Sequence, residues 1–240
     1  MTDRAFLTAE WRNLVMLNYE VDPMLLQPLV PRGTELDAWS GRTFVSLVGF
    51  LFAHTRVLGV PVPMHRTFEE VNLRFYVRRT INGEVRRAVT FIRELVPRVA
   101  IATVARLAYN EPYRAVPMRH RYGPSGVGGV PDVVAYGWRS GRAWSEMRAK
   151  PLGTGALADP GSEEEFITEH YWGYTRQRDG STIEYRVEHP KWHVWPVDAH
   201  LEGDMEHVYG VALAQVLRSP PSSAFLANGS TVTVGRPVRL

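Results

Sequence analysis

The segment Phe68-Glu-Glu-Val-Asn-Leu-Arg-Phe-Tyr76 alternates: Val71, Leu73 and Phe75 fall on one side, Glu70, Asn72, Arg74 and Tyr76 on the other. A period of two is that of a β-strand, whose successive side chains point to opposite faces. A second strand follows in Val89-Thr-Phe-Ile-Arg-Glu-Leu-Val96, where simple alternation sets Phe91, Arg93 and Leu95 against Thr90, Ile92 and Glu94. Arg93 and Glu94 then point to opposite faces, so one of them turns inward and needs a partner, with Glu70 or Arg74 across the Asn82-Gly83 turn the nearest. Asn82-Gly83, Ser140-Gly141, Asp179-Gly180 and Asn228-Gly229 each separate runs rich in β-branched and aromatic residues, the pattern of hairpins with two-residue turns.

Four windows read as helical. Residues 22–29 open with Asp22 as N-cap and Pro23 in the first helical position. Residues 98–108 are alanine-rich; 163–172 carry the capping box Ser162…Glu165 with Gly173 as a C-terminal stop; and 204–218 are amphipathic. The chain is thus read as α+β, mainly β, with a few peripheral helices. Its 240 residues are expected to form a single domain, 1–240.

Composition narrows the chemistry. The absence of cysteine excludes disulfides, thiolate nucleophiles and Cys-based metal sites. The formal charge is +3, but the arginines alternate with acids and form no basic block, which argues against nucleic acid as a partner. No segment reaches the ~20 apolar residues of a membrane span, and Asp3 and Glu10 disfavour a leader peptide, so a cytoplasmic location and no membrane partner are expected. His189 and His193 lie ~13 Å apart on an extended chain around Pro190. His200 and His207 flank acids best read as a solvated first turn, so neither a metal nor any other cofactor is expected. There is no Gly-x-Ser-x-Gly elbow, and Gly123-Pro-Ser-Gly-Val-Gly-Gly129 lacks the end of a P-loop.

Candidate chemistry gathers in two places. The polar side of the first strand is either a solvent-facing surface, as in an open sheet, or the lumen of a closed barrel, where Arg74 is suited to grip a carboxylate beside Glu70 and Asn72. In Glu169-His-Tyr-Trp-Gly-Tyr174, His170 is either a general base or a packing histidine, with Tyr174 aligned to it at a four-residue step.

The chain is identified as a member of the YqjF-like family, a bacterial group of unknown function. The resemblance rests on Phe6-Leu-Thr-Ala-Glu-Trp11, Leu17-Asn-Tyr19, Glu69-Glu-Val-Asn-Leu-Arg74, Phe91-Ile-Arg-Glu94, Tyr109-Asn-Glu-Pro-Tyr113, Phe166-Ile-Thr-Glu-His-Tyr171 and Val187-Glu-His-Pro190. That family is in turn similar to the acetoacetate decarboxylase-like superfamily, mainly before residue 115, which implies a mixed β-barrel or cone with an internal pocket. In the decarboxylases, paired lysines follow the turn that ends here at Pro112, and one of them forms a Schiff base. Here those positions read Tyr113-Arg114, and arginine, always protonated, forms no imine. Of 28 basic residues only Lys150 and Lys191 are lysines, each far along the chain.

The resemblance therefore implies a pocket for a small anionic or carbonyl-containing metabolite. Glu70, Glu94 and His170 are the acid–base candidates, and Asn72, Arg74, Arg93, Tyr113, Arg114 and Tyr174 the ligand-binding ones. Any enzyme activity would be non-covalent acid–base chemistry of a lyase or hydrolase kind. Two other readings stay open: a non-catalytic protein whose cavity is filled by Tyr109, Tyr113 and Trp172, and a homo-oligomeric structural module using an exposed strand edge.

Overall fold

The computed structural model describes residues 5–62, 66–99, 103, 109–126 and 129–240. Among these residues the long strands are β1 (Leu7–Val21), β3 (Thr43–Val57), β5 (Phe68–Ile81), β6 (Glu84–Val96), β9 (Val134–Ser140), β10 (Ala143–Pro151), β13 (Thr182–Glu188), β14 (His193–Glu202) and β15 (Ser223–Val234). Shorter ones are β2 (Glu35–Leu36), β4 (Val60–Pro61), β7 (Tyr113–Ala115), β8 (Met118–Tyr122), β11 (Ala156–Leu157), β12 (Trp172–Arg176) and β16 (Val238–Arg239). The order β13-β12-β6-β5-β3-β1-β15 closes on itself because β13 also pairs with β15, through Val187 opposite Val234 and Glu188 opposite Thr233. The result is a ring of strands rather than a clean barrel: the parallel β12–β6 contact is equally short, Trp172 opposite Ala88 and Gly173 opposite Val89. From β15 a wing β14-β10-β9-β8 folds away.

The alternation of β5 serves two buried surfaces. Val71, Leu73 and Phe75 pack with Tyr136, Trp138 and Met147 of the wing and with Val208, Leu213 and Leu217 of helix α3 (Glu206–Arg218). Leu14, Val48, Phe50, Phe52 and Phe68 form a second cluster inside the ring. Both faces being covered, the polar residues of β5 are buried as deeply as the apolar ones: Glu70 is 2% exposed and Asn72 2%.

Three irregularities re-aim side chains. The β1–β3 register slips at two points, with Asn13 (φ 53°) in one and His54 (φ 53°) in the other, so Trp11 and Leu14 both face inward, as do Phe52 and Thr55. Between β5 and β6, Leu73 faces Arg93 but Arg74 faces Phe91, leaving Ile92 as the extra residue of a β-bulge. Strict alternation across 89–96 is therefore wrong. Val89 and Phe91 point into the ring before the bulge, Glu94 does so after it, and Arg93 is turned outward.

The turns divide. Asn82-Gly83 is a two-residue hairpin with φ 50° and 82°, as a type I′ turn requires. The β9–β10 turn is shifted one residue, to Gly141-Arg142 between the paired Ser140 and Ala143. Asp179-Gly180 sits in a longer loop between paired Arg176 and Thr182. Asn228-Gly229 is not a turn at all but lies within β15, where Gly229 (φ 82°) passes the backbone of Trp11 so closely that a Cβ would come 2.0 Å from its oxygen.

Helix α1 (Pro23–Leu26), continued by a 3₁₀ turn Gln27–Leu29, is capped by Asp22, whose Oδ1 accepts from Met24 N at 2.8 Å. In α2 (Glu163–Thr168), Ser162 Oγ accepts from Glu165 N at 3.1 Å, while Glu165 reaches back to Gly161 N rather than to Ser162. This helix stops at Thr168, not at Gly173, because Glu169 leaves helical geometry (φ −96°, ψ 59°); Gly173 belongs to β12. Helix α3 is broken at Gly210 (φ 79°). The helical window 98–108 lies largely outside the described residues. Among those described, no helix is long and apolar enough to cross a membrane.

Gly229→Ala is expected to destabilise the protein by about 2 kcal/mol or more, since it combines positive-φ strain with a backbone clash. Thermal unfolding beside Gly83→Ala, where the space is open, checks this; equal melting points for the two variants would contradict the close β1–β15 approach.

Candidate functional site

The ring encloses a cavity of about 320 Å³ whose wall is mainly apolar, with Leu14, Val48, Phe50, Phe68 and Trp192 among its residues. Its polar side chains come from separated parts of the chain. β5 supplies Glu70, Asn72 and Arg74; β6 supplies Glu94 beyond the bulge; the turn before β7 supplies Glu111, and β7 itself Tyr113; β13 supplies Tyr185; and the segment after α2 supplies His170. Parallel pairing of β6 with β7 sets Glu94 beside Tyr113. The turn bends sharply there, with Asn110 at φ 55° and Tyr113 N donating to Glu111 O at 2.8 Å.

Glu70, Glu94 and Glu111 form one cluster in which each carboxylate would repel its neighbours. Asn72 Nδ2 donates to Glu70 Oε1 at 2.9 Å and the Tyr113 hydroxyl to Glu70 Oε2 at 3.1 Å. The Tyr185 hydroxyl donates to Glu111. Burial pushes the Glu70 carboxyl up to about 7, against the pull of Asn72, Tyr113 and Arg74. Burial and then Glu70 raise Glu111 to about 8, with Tyr185 opposing. Glu94 is driven well above the usual carboxylate range by burial, then by Glu111 and Glu70. Burial and the three neighbouring acids likewise raise the Tyr113 phenol, so it holds its proton.

Arg74 and His170 form the other pole. Glu70 and Arg74 are four residues apart on one strand, ~13 Å between Cα atoms. Arg74 Nη2 donates to Ile167 O at 3.1 Å, while its Nε has no hydrogen-bond partner. Glu94 Oε2, Asn72 Oδ1 and both ring nitrogens of His170 are likewise buried and unpartnered. Each such atom costs about 1–3 kcal/mol unless something pairs with it.

Six of the sequence candidates, Glu70, Asn72, Arg74, Glu94, Tyr113 and His170, are brought together here. Three are placed elsewhere. Arg114 follows Tyr113 on a strand and so points the opposite way, donating to His207 O at 3.3 Å. Arg93 is turned out by the bulge toward Tyr209. Tyr174 lies in β12 and in the core outside the cavity, its hydroxyl 2.5 Å from Glu184, which Arg86 also holds at 2.7 Å. Glu111, Tyr185 and Trp192 also line the cavity without being sequence candidates; the signal for Glu111 in the chain is an acid directly before Pro112-Tyr113. Neither lysine lines the cavity: Lys191 pairs with Glu165 at 2.8 Å on the surface, and Lys150 is exposed on β10. Tyr109 and Tyr113 stand in the wall without filling the space, and Trp172 lies under Arg86, 4.1 Å from its ring centre. Among the described residues no cluster of His, Asp or Glu is placed to hold a metal ion.

The family model DUF2071, described as an uncharacterized conserved protein, matches residues 8–231. The chain belongs to this family. The uncharacterized protein YqjF of Bacillus subtilis (strain 168) is 27% identical over 207 residues, spanning 85% of this chain and 82% of its own. Among solved structures, acetoacetate decarboxylase from Legionella pneumophila is similar with a TM-score of 0.66 at 14% identity, over 98% of this chain and 88% of the other. The enduracididine biosynthesis enzyme MppR, complexed with pyruvate, gives a TM-score of 0.66 at 11% identity, over 97% and 90%. These likenesses establish the fold of this DUF2071 member as acetoacetate decarboxylase-like.

The raised carboxyls make stability depend on pH. Between the unfolded value of about 4.5 and the folded values of about 7 and 8, the native state binds more protons than the unfolded chain. Their contribution is therefore complete below that window and is lost as pH rises through it. Glu111→Gln is expected to narrow the loss, its melting temperature gaining on the wild type by about 3 °C or more between the acid and alkaline ends. A difference that stays constant with pH would contradict the assignment.

Proposed function

We propose that this DUF2071 protein binds a small carbonyl compound bearing a carboxylate, of the α-keto acid class, inside the strand ring, and moves protons on it without forming an imine. One observation carries the reading: a cationic group with an unused donor, Arg74, shares the cavity inside the ring with buried carboxyl groups that hold protons near neutrality. Arg74 takes the ligand carboxylate. Protonated Glu94, supported by Tyr113, donates a hydrogen bond to the carbonyl oxygen. Glu70, whose carboxyl titrates at about 7, accepts the proton from the carbon beside the carbonyl; the C–H electron pair moves into the enolate and onto the oxygen that Glu94 holds. The absence of lysine from the wall supports an acid–base route over a Schiff base. The similar enzyme MppR, bound to pyruvate and to the condensation product of pyruvate with imidazole 4-carboxaldehyde, supports the ligand class by analogy of fold. The volume left beside Tyr109 and Tyr113 favours this reading over a self-filled cavity.

Pyruvate at ~100 Kd is expected to stabilise the wild type by about 2.7 kcal/mol. In thermal-shift measurements the effect should vanish in Arg74→Ala and persist in Arg114→Ala, which lies outside the cavity. Equal shifts in wild type and Arg74→Ala, or none with any keto acid, would overturn the proposal. Exchange of the pyruvate methyl protons with deuterated water, followed by NMR, should slow by ~100-fold or more in Glu70→Gln.

A further inference from the structure

His170 has no role in that proton transfer, yet it is placed for one. Its side chain is 2% exposed and that of Asp37 1%. The ring lies against Tyr76, 4.7 Å between centres, and edge-on to Phe166 at 5.3 Å, surroundings a phenylalanine would fill without leaving two polar nitrogens unpaired. Behind it, Asp37 Oδ2 stands 3.8 Å from Nε2, beyond hydrogen-bond length but close enough to act through charge. Asp37 is fixed in turn: Arg87 Nε donates to Oδ2 at 2.7 Å and Nη2 to Oδ1 at 3.3 Å, and Ala38 N donates to Oδ1 at 3.1 Å. On the cavity wall the ring is accompanied by Arg74.

We propose that the His170–Asp37 pair is a proton-coupled anion site: when a carboxylate seats on Arg74, His170 takes one proton from solution and, as imidazolium between Asp37 and the ligand, becomes the second cation of the site. This inference rests on the reading of Arg74 as the carboxylate holder. The groups that decide it are Asp37, Arg74 and Arg87. Without a ligand, burial and then the two arginines hold the ring down to about 4 against the pull of Asp37, so it is neutral at physiological pH. Burial raises the Asp37 carboxyl, but His170 and Arg87 outweigh it and bring it to about 2, so at neutral pH a negative charge stands behind the ring. The neutral ring therefore carries its hydrogen on Nε2, toward Asp37, leaving Nδ1 as a buried acceptor with no partner in the protein. A bound anion changes the sign of the balance: Asp37 and the ligand then favour the charged ring, while the ligand neutralises Arg74. The pairing also discriminates, because a neutral carbonyl compound supplies no charge to draw in the proton.

Protein labelled with ¹⁵N-histidine, titrated with pyruvate at neutral pH, separates the outcomes. The expected ligand-free state is the neutral Nε2–H tautomer of His170, changing to a doubly protonated ring on saturation. Pyruvamide, which lacks the carboxylate charge, should leave the ring neutral. Affinity for pyruvate should fall ~10-fold in His170→Gln, with the pH dependence contributed by His170 lost. Because the wild-type spectra carry the main readout, a variant that misfolds does not remove the test. Pyruvate bound with His170 unchanged overturns this inference and leaves the Arg74 reading standing. No pyruvate binding at all overturns both.

Discussion

The constraint on which the site depends is the bulge at Ile92. A strand offers every second side chain to each face, and a single extra residue exchanges the faces from that point on. Without it, Glu94 and Phe91 of β6 could not both face the ring interior; with it, Glu94 enters the cavity beside Tyr113 and Arg93 leaves it. The slips at Asn13 and His54 do the same for the opposite wall, bringing in Trp11 with Leu14 and Phe52 with Thr55. The ring closes through two short pairings, β12 with β6 and β13 with β15. Its long, irregular strands thus carry both closure and the choice of lining residues.

Once three carboxyl groups are buried within one wall, electrostatics dictates their state. An ionised carboxylate loses its hydration on burial, and each neighbour that ionises raises the cost for the others. Hydrogen bonds from Asn72, Tyr113 and Tyr185 offset part of this for Glu70 and Glu111. The outcome is a cavity whose acids keep protons near neutrality and whose fixed cation is Arg74, a combination suited to anionic and carbonyl ligands. Asp37 is in the opposite state: paired with Arg87, it stays ionised although it is as buried as Glu70.

Much of this was legible in the chain. Period two across 68–76 separates the two faces of β5 and gathers the polar trio Glu70, Asn72 and Arg74, because nothing interrupts that strand's alternation; that the polar face is buried follows from closure of the ring, which one strand does not reveal. Tyr113 followed from the resemblance at Tyr109-Asn-Glu-Pro-Tyr113. Where the structure places residues differently, the causes are equally local. Arg114 adjoins Tyr113 in the chain, but adjacent strand residues point apart, and the bulge at Ile92 breaks the alternation that would place Arg93. The four-residue step from His170 to Tyr174 needs a helix, and the helix ends at Thr168. Asn228-Gly229 resembles a hairpin turn, but here it relieves contact with Trp11 across β1 and β15. Glu111 and Tyr185 meet across 74 positions of sequence, and no spacing rule reaches that far.

The central claim is that burial keeps a carboxyl of this cavity protonated at neutral pH. Infrared difference spectroscopy of ligand-free wild type against Glu94→Gln reads it directly. Expected at neutral pH is a protonated-carboxyl C=O stretch that is present in the wild type and loses the Glu94 share of its intensity in the variant, where Glu111 and part of Glu70 still hold protons. A spectrum with only carboxylate bands at that pH, identical in this region for the two proteins, would contradict it.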